Sequence, residues 1–158
     1  MRRSTGNAMT RRHRVFLDTN VLFSALHSSV GAPSAILEAY LRGQIEVVVS
    51  RQVLEELIRT VHQKRPQLIT RLYFLLQQAP FEVQPDPAPD EVTRWEQVIH
   101  PADAPILAAA IAARPDFLIS GNKRHFTSEV AALAGLAIVS PSEFVEILAG
   151  HPSQEHLR

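Results

Sequence analysis

The chain has 158 residues, 46% of them apolar and none of them cysteine, and its 16 basic and 16 acidic side chains cancel to a formal charge of zero. That size suits one globular domain with a real core, burying roughly two-thirds of its unfolded surface, and argues against a second full domain. The lack of cysteine excludes disulfides and thiolate metal sites, and the longest strongly apolar run, Ile106 to Ala113, falls far short of the roughly 20 residues of a membrane span.

The charges are unevenly spread. Arg2, Arg3, Arg11, Arg12 and Arg14 face no acid before residue 15, which leaves 11 basic against 16 acidic residues in the body. Residues 1–13 read as a basic, disordered leader, with help in holding phosphates as the alternative role for its arginines. The N-terminus lacks the apolar core of a signal peptide, so a cytoplasmic protein without membrane association is expected. The folded body is predicted over 14–149, with a polar tail at 150–158.

In chain order, Val15-Phe16-Leu17 is an apolar run that ends abruptly at Asp18, and apolar residues resume with helical spacing at Val21, Leu22, Ala25 and Leu26. The pattern predicts a buried strand, a tight turn and a helix. In an open parallel sheet ligands gather beyond the carboxyl ends of the strands, which makes Asp18 the first candidate site residue. A plain N-cap explains Asp18 equally well, so other acids must decide.

A helix over Pro33–Leu41, closed by Gly43, precedes the β-branched strand 45–49 and Ser50, a cap for a helix with apolar positions Val53, Leu54, Leu57, Ile58 and Val61. Pro66–Gln78 is amphipathic, Phe81–Val83 is a short strand, and the prolines at 85, 87 and 89 mark a rigid surface connection. Asp90–Ile99 is predicted helical. Asp103 stands at the start of a helix, Ile106–Ala113, that is apolar nearly all round and should be buried. A fourth strand, Asp116–Ser120, ends at Gly121-Asn122-Lys123-Arg124-His125, and a helix over Ser128–Ala134, a strand over Leu136–Val139 and a helix over Ser142–Leu148 complete the domain. Strands alternating with helices imply an α/β fold, a three-layer α/β/α sandwich with a five-stranded parallel sheet.

Asp18, a glutamate after the second strand, Asp103 and Asn122 then fall on one rim. Crowded carboxylates repel and raise one another's pKa unless a cation neutralises them, and oxygen ligands suit Mg²⁺ or Mn²⁺. Such ions activate water and stabilise charge in phosphodiester cleavage.

The chain resembles the PIN domain family, metal-dependent ribonucleases that include the VapC-type toxins. The resemblance rests on Val15 to Leu22, on Ser50 with Val53-Leu54-Glu55-Glu56-Leu57, on Asp103 to Ala110, and on Asp116 to Lys123. It implies RNA hydrolysis with Mg²⁺ or Mn²⁺, a toxin's role with an antitoxin partner, and a homo-oligomer. It also implies Asp18, Glu56 and Asp103 as catalytic and metal-binding acids, with Asn20 orienting Asp18 or water and Ser120 lining the pocket. Helical periodicity leaves Glu55 and Glu56 equivalent, flanking the apolar stripe on opposite sides; only the family pattern selects Glu56.

The chain departs from the family at Asn122, where many relatives carry a fourth aspartate. An amide oxygen can still ligate a hard metal, so Asn122 stays in the predicted set, with a weakly active or inactive RNA- or protein-binding module as the alternative. Lys123, Arg124 and His125 either grip phosphate or form a solvated basic turn. His27, His62, His100, His151 and His156 show no metal-ligand spacing and read as surface residues. A haloacid-dehalogenase-type phosphatase needs a second aspartate where this chain has Asn20.

Overall fold

The computed structural model describes residues 11–150. Strand β1, His13–Leu17, is buried at Val15, Phe16 and Leu17, because a central parallel strand is covered on both faces and has no solvent side to alternate toward. Asp18 ends it and α1, Thr19–His27, follows. Then come α2 (Ala32–Leu41), β2 (Ile45–Ser50) and α3 (Arg51–Lys64), whose first turn is capped by the Ser50 hydroxyl accepting from Val53 N at 3.1 Å.

A single 3₁₀ turn at Pro66–Leu68 leads into α4 (Ile69–Gln78), so the amphipathic segment expected over 66–78 is split near its start. Strand β3 is Glu82–Gln84, and α5 spans Pro89–Trp95, shorter than the helix expected to Ile99. Helix α6, Ala104–Ala113, buries seven of its ten residues, as its uniform apolarity requires. After it come β4 (Phe117–Ile119), α7 (Ser128–Ala134), β5 (Ile138–Val139) and α8 (Pro141–Leu148), the last opened by a capping box between Ser140 and Glu143.

The strands are all parallel, in the order β3-β2-β1-β4-β5, and the helices complete an α/β/α sandwich. Helix α6 lies against β2 and β3, α1 against α2 and α3, and α2 against α8. The chain winds outward from β1 through β2 to β3, then returns to the other side of β1 for β4 and β5. The order therefore reverses between β1 and β4, where the connections leave in opposite directions and open a crevice beyond the strand ends. Asp18 follows β1 and Ser120 follows β4, so both stand at that crevice, and Asp18 N donates to Ile119 O at 3.1 Å.

The described part of the predicted basic leader behaves otherwise than expected. His13 already belongs to β1, and the arginines beside it are ion-paired at the opposite end of the sheet from Asp18. Arg11 pairs with Asp116 at 3.2 Å, Arg12 with Glu46 at 3.6 Å, and Arg14 with Glu82 at 2.6 Å. Four steps along the extended chain, about 13 Å at roughly 3.3 Å each, take Arg14 to Asp18. These three arginines thus neutralise acids near the strand starts. Residues 1–10 and 151–158, most of the leader and tail, lie outside the described residues. Among the described residues no helix is long and apolar enough to cross a membrane.

Candidate functional site

Asp18 is 5% exposed. Its Oδ1 accepts from Thr19 N at 2.8 Å, so the N-cap reading holds in part. Its Oδ2 accepts from the Ser120 hydroxyl at 2.7 Å and from Asn20 Nδ2 at 3.1 Å, which a cap does not require. Asn20 in turn accepts from Gly121 N at 2.9 Å, so its amide bridges the ends of β1 and β4. Gly121 leaves room for that bridge, since a Cβ there would come within 3.2 Å of Asn20 Oδ1. Ser120, 2% exposed, also accepts from Asn122 N at 3.0 Å.

Burial pushes the Asp18 carboxyl above its usual range, because desolvation disfavours the anion. Bonds from Ser120 and Thr19 N oppose that shift, while the negative charges of Asp103 and Glu56 add to it. The carboxylates of Asp103 and Glu56 therefore share the electrostatic surroundings of Asp18, which sequence order alone does not ensure.

The two glutamates that periodicity left equivalent are distinguished by their contacts. Glu56 is half-buried and accepts from Thr19 Oγ1 at 2.9 Å and from Gln52 Nε2 at 3.3 Å, which ties α3 to the turn after β1. Glu55 is exposed and pairs with Arg51 at 3.0 Å.

Asp103 precedes α6 without capping it through its side chain. Its Oδ2 lies 2.5 Å from His125 Nδ1, and His125 also lies 3.3 Å from Asn122 Nδ2. The ring of His100 stacks on that of His125, centroids 4.7 Å apart and planes 10° from parallel. Among the described residues, the group of three acid or imidazole side chains whose ligand atoms lie within 4.8 Å of one another is His100, Asp103 and His125. Asp18, Glu56 and Asp103 do not close to that distance together. The sequence reads His100 as a surface histidine; it is exposed, yet it belongs to this group. The sequence reading passes over it because His125 arrives from a separate turn, so that only His100 and Asp103 lie close in the chain.

Lys123 is exposed and pairs with Glu143 at 3.1 Å, beside a cavity of about 570 Å³ lined by Ser120, Lys123, Phe126, Thr127, Val139 and Glu143. Arg124 is exposed and makes no ion pair among the described residues. The predicted positions thus fall into two groups: Asp18 with Asn20, Ser120 and Glu56, the last tied in by Thr19, and Asp103 with Asn122, which His125 and the unpredicted His100 join.

A family model described as PIN domain matches residues 14–124. No curated protein matches the chain. Solved structures share the fold at low identity. VapBC2 from Rickettsia felis, bound to a DNA fragment from their promoter, is 21% identical with a TM-score of 0.59, covering 80% of this chain and 98% of that one. PAE2754 from Pyrobaculum aerophilum is 17% identical with a TM-score of 0.61, covering 90% and 98%. FitAcB from Neisseria gonorrhoeae is 22% identical with a TM-score of 0.57, covering 80% and 97%.

Proposed function

Because the chain belongs to the PIN domain family, we propose that it is a nuclease, specifically a metal-dependent endoribonuclease that hydrolyses RNA phosphodiester bonds as the toxin of a toxin–antitoxin pair. The observation that carries this reading is Asp18: a buried carboxylate at the point where strand order reverses, fixed by Ser120, Asn20 and Thr19, with its anion disfavoured by burial and by two further acids. A structural cap has no need of that expense; a cation ligand does.

The donor chemistry fits Mg²⁺ or Mn²⁺, with Asp18, Glu56 and Asp103 as hard oxygen ligands and Asn122 beside them. Acids that do not all close to 4.8 Å suit an ion that keeps several of its waters, as Mg²⁺ does. Bound there, the ion supplies water activation and neutralises charge at the scissile phosphate. The chain's own residues do the positioning. Ser120 and Asn20 hold Asp18, Gly121 N holds Asn20, and Thr19 holds Glu56. Exposed Arg124, and Lys123 once released from Glu143, are the candidates for contacting RNA phosphates. An antitoxin partner and a homo-oligomer belong to the same reading.

Asp18→Asn is the direct test, since it is nearly isosteric and deletes the central charge. Circular dichroism should be unchanged while Mn²⁺-dependent RNA cleavage disappears. The absent fourth carboxylate at Asn122 favours a second reading, a weakly active or inactive domain that binds RNA or protein. That reading gains if wild type and Asp18→Asn bind RNA equally and neither cleaves it.

A further inference from the structure

We propose that His100, Asp103 and His125 form a binding site for a borderline transition-metal ion of the Zn²⁺ class, sharing Asp103 with the acidic rim but otherwise separate from it. Three ligand-type side chains from two distant segments have their donor atoms within 4.8 Å of one another. Two of the three are imidazoles, which suit Zn²⁺, Co²⁺ or Ni²⁺, whereas Mg²⁺ takes oxygen ligands and gives up its waters reluctantly. The site is thus chemically distinct from the one proposed for hard cations around Asp18, and its existence does not depend on the nuclease reading.

The geometry also states what must move. In a tetrahedral site with bonds of about 2.0–2.1 Å, ligand atoms stand roughly 3.4 Å apart. His125 Nδ1 and Asp103 Oδ2 are 2.5 Å apart, a spacing that holds a proton between them. A metal ion taking the proton's place must part the two by about 1 Å. Asp103 is anchored at the start of buried α6, so the shift falls to His125, which sits in the turn between β4 and α7. Two parallel rings cannot both aim in-plane lone pairs at one ion, so His100 must rotate out of its stack on His125. Its ring is exposed and is otherwise restrained by one bond, from Ala102 N to Nδ1 at 3.1 Å. Both movements lie in surface turns and leave the sheet untouched.

The test uses the full chain, ¹⁵N-labelled and free of any affinity tag, titrated with Zn²⁺. Long-range ¹H–¹⁵N spectra resolve the imidazole nitrogens, and calorimetry gives affinity for wild type, His100→Gln, His125→Gln and Asp18→Asn. At a single equivalent of Zn²⁺ the signals of His100 and His125 should move. Each glutamine variant should weaken binding at least about tenfold, and Asp18→Asn should keep wild-type Zn²⁺ affinity even where it removes cleavage. His100→Gln carries the test alone if His125→Gln fails to fold. Shifts confined to His13, His27, His62, His151 or His156, or unchanged affinity in His100→Gln, would overturn the site. Loss of cleavage in Asp18→Asn bears only on the nuclease reading.

Discussion

Ser120→Ala separates the local electrostatics of Asp18 from its packing. The hydroxyl donates to Asp18 Oδ2 at 2.7 Å and accepts from Asn122 N at 3.0 Å, and at 2% exposure no water can replace it at Oδ2 without rearrangement. A hydrogen bond to a charged group contributes about 1.5–3 kcal/mol, so the loss should be about 2 kcal/mol at neutral pH. At about 2–4 °C per kcal/mol for a chain of this length, Tm should fall by roughly 4–8 °C. The effect should depend on pH. Burial raises the folded Asp18 carboxyl above its ordinary value of 3.8, so through that window the folded state keeps a proton that the unfolded chain has released. Stability therefore falls as pH rises from 3.8 through the folded pKa. Removing a donor that favours the anion moves the carboxyl higher still and extends the fall upward. The gap between wild type and Ser120→Ala should widen as pH rises from 4 to 7.5. Urea denaturation across that range, with chelator present so that no cation offsets the charge, measures it. A gap of the same size at both ends would refute the claim that Ser120 acts on ionised Asp18.

Gly121→Ala should displace Asn20, because its Cβ would sit 3.2 Å from Asn20 Oδ1; cleavage should drop while Tm changes by no more than a few degrees, read by gel assay and calorimetry. Arg14→Ala removes a bidentate pair with Glu82 at 2.6 and 2.9 Å and should cost about 1 kcal/mol after allowance for solvent screening, with cleavage unchanged. Bonding to Arg14 holds the Glu82 carboxyl below its usual value, so this cost should be present at neutral pH and fade as acid protonates Glu82, which denaturation at pH 3.5 and 7 compares. Asn122→Asp should place a carboxylate against His125 and lower the Mn²⁺ concentration needed for half-maximal cleavage; superimposable titrations would make Asn122 a turn residue.

Much of the site is legible in sequence because its parts are short and local. Val15-Phe16-Leu17-Asp18 announces a buried strand ending in a carboxylate, and the uniform apolarity of Ile106–Ala113 announces a buried helix with Asp103 before it. Glu56 was not legible in the same way. Periodicity places Glu55 and Glu56 symmetrically about one stripe, and only the position of Thr19 across from α3 separates a tied carboxylate from a solvated one. The arginines before β1 were likewise ambiguous, since their partners Glu46, Glu82 and Asp116 are brought beside them by strand register, which a list of charges does not contain.

By itself the sequence determined the alternation of strands and helices, and hence a parallel layered fold, because hydrophobic period and capping are properties of neighbouring residues. It also determined which polar residues stand at strand ends. The tertiary structure alone decided how those ends converge. The strand order β3-β2-β1-β4-β5 puts Ser120 against Asp18 although 102 residues separate them. The turn after β4 swings His125 onto Asp103 and stacks it on His100. Contacts of that range are set by which strands pair and how the loops pack, and no local pattern of side chains encodes them.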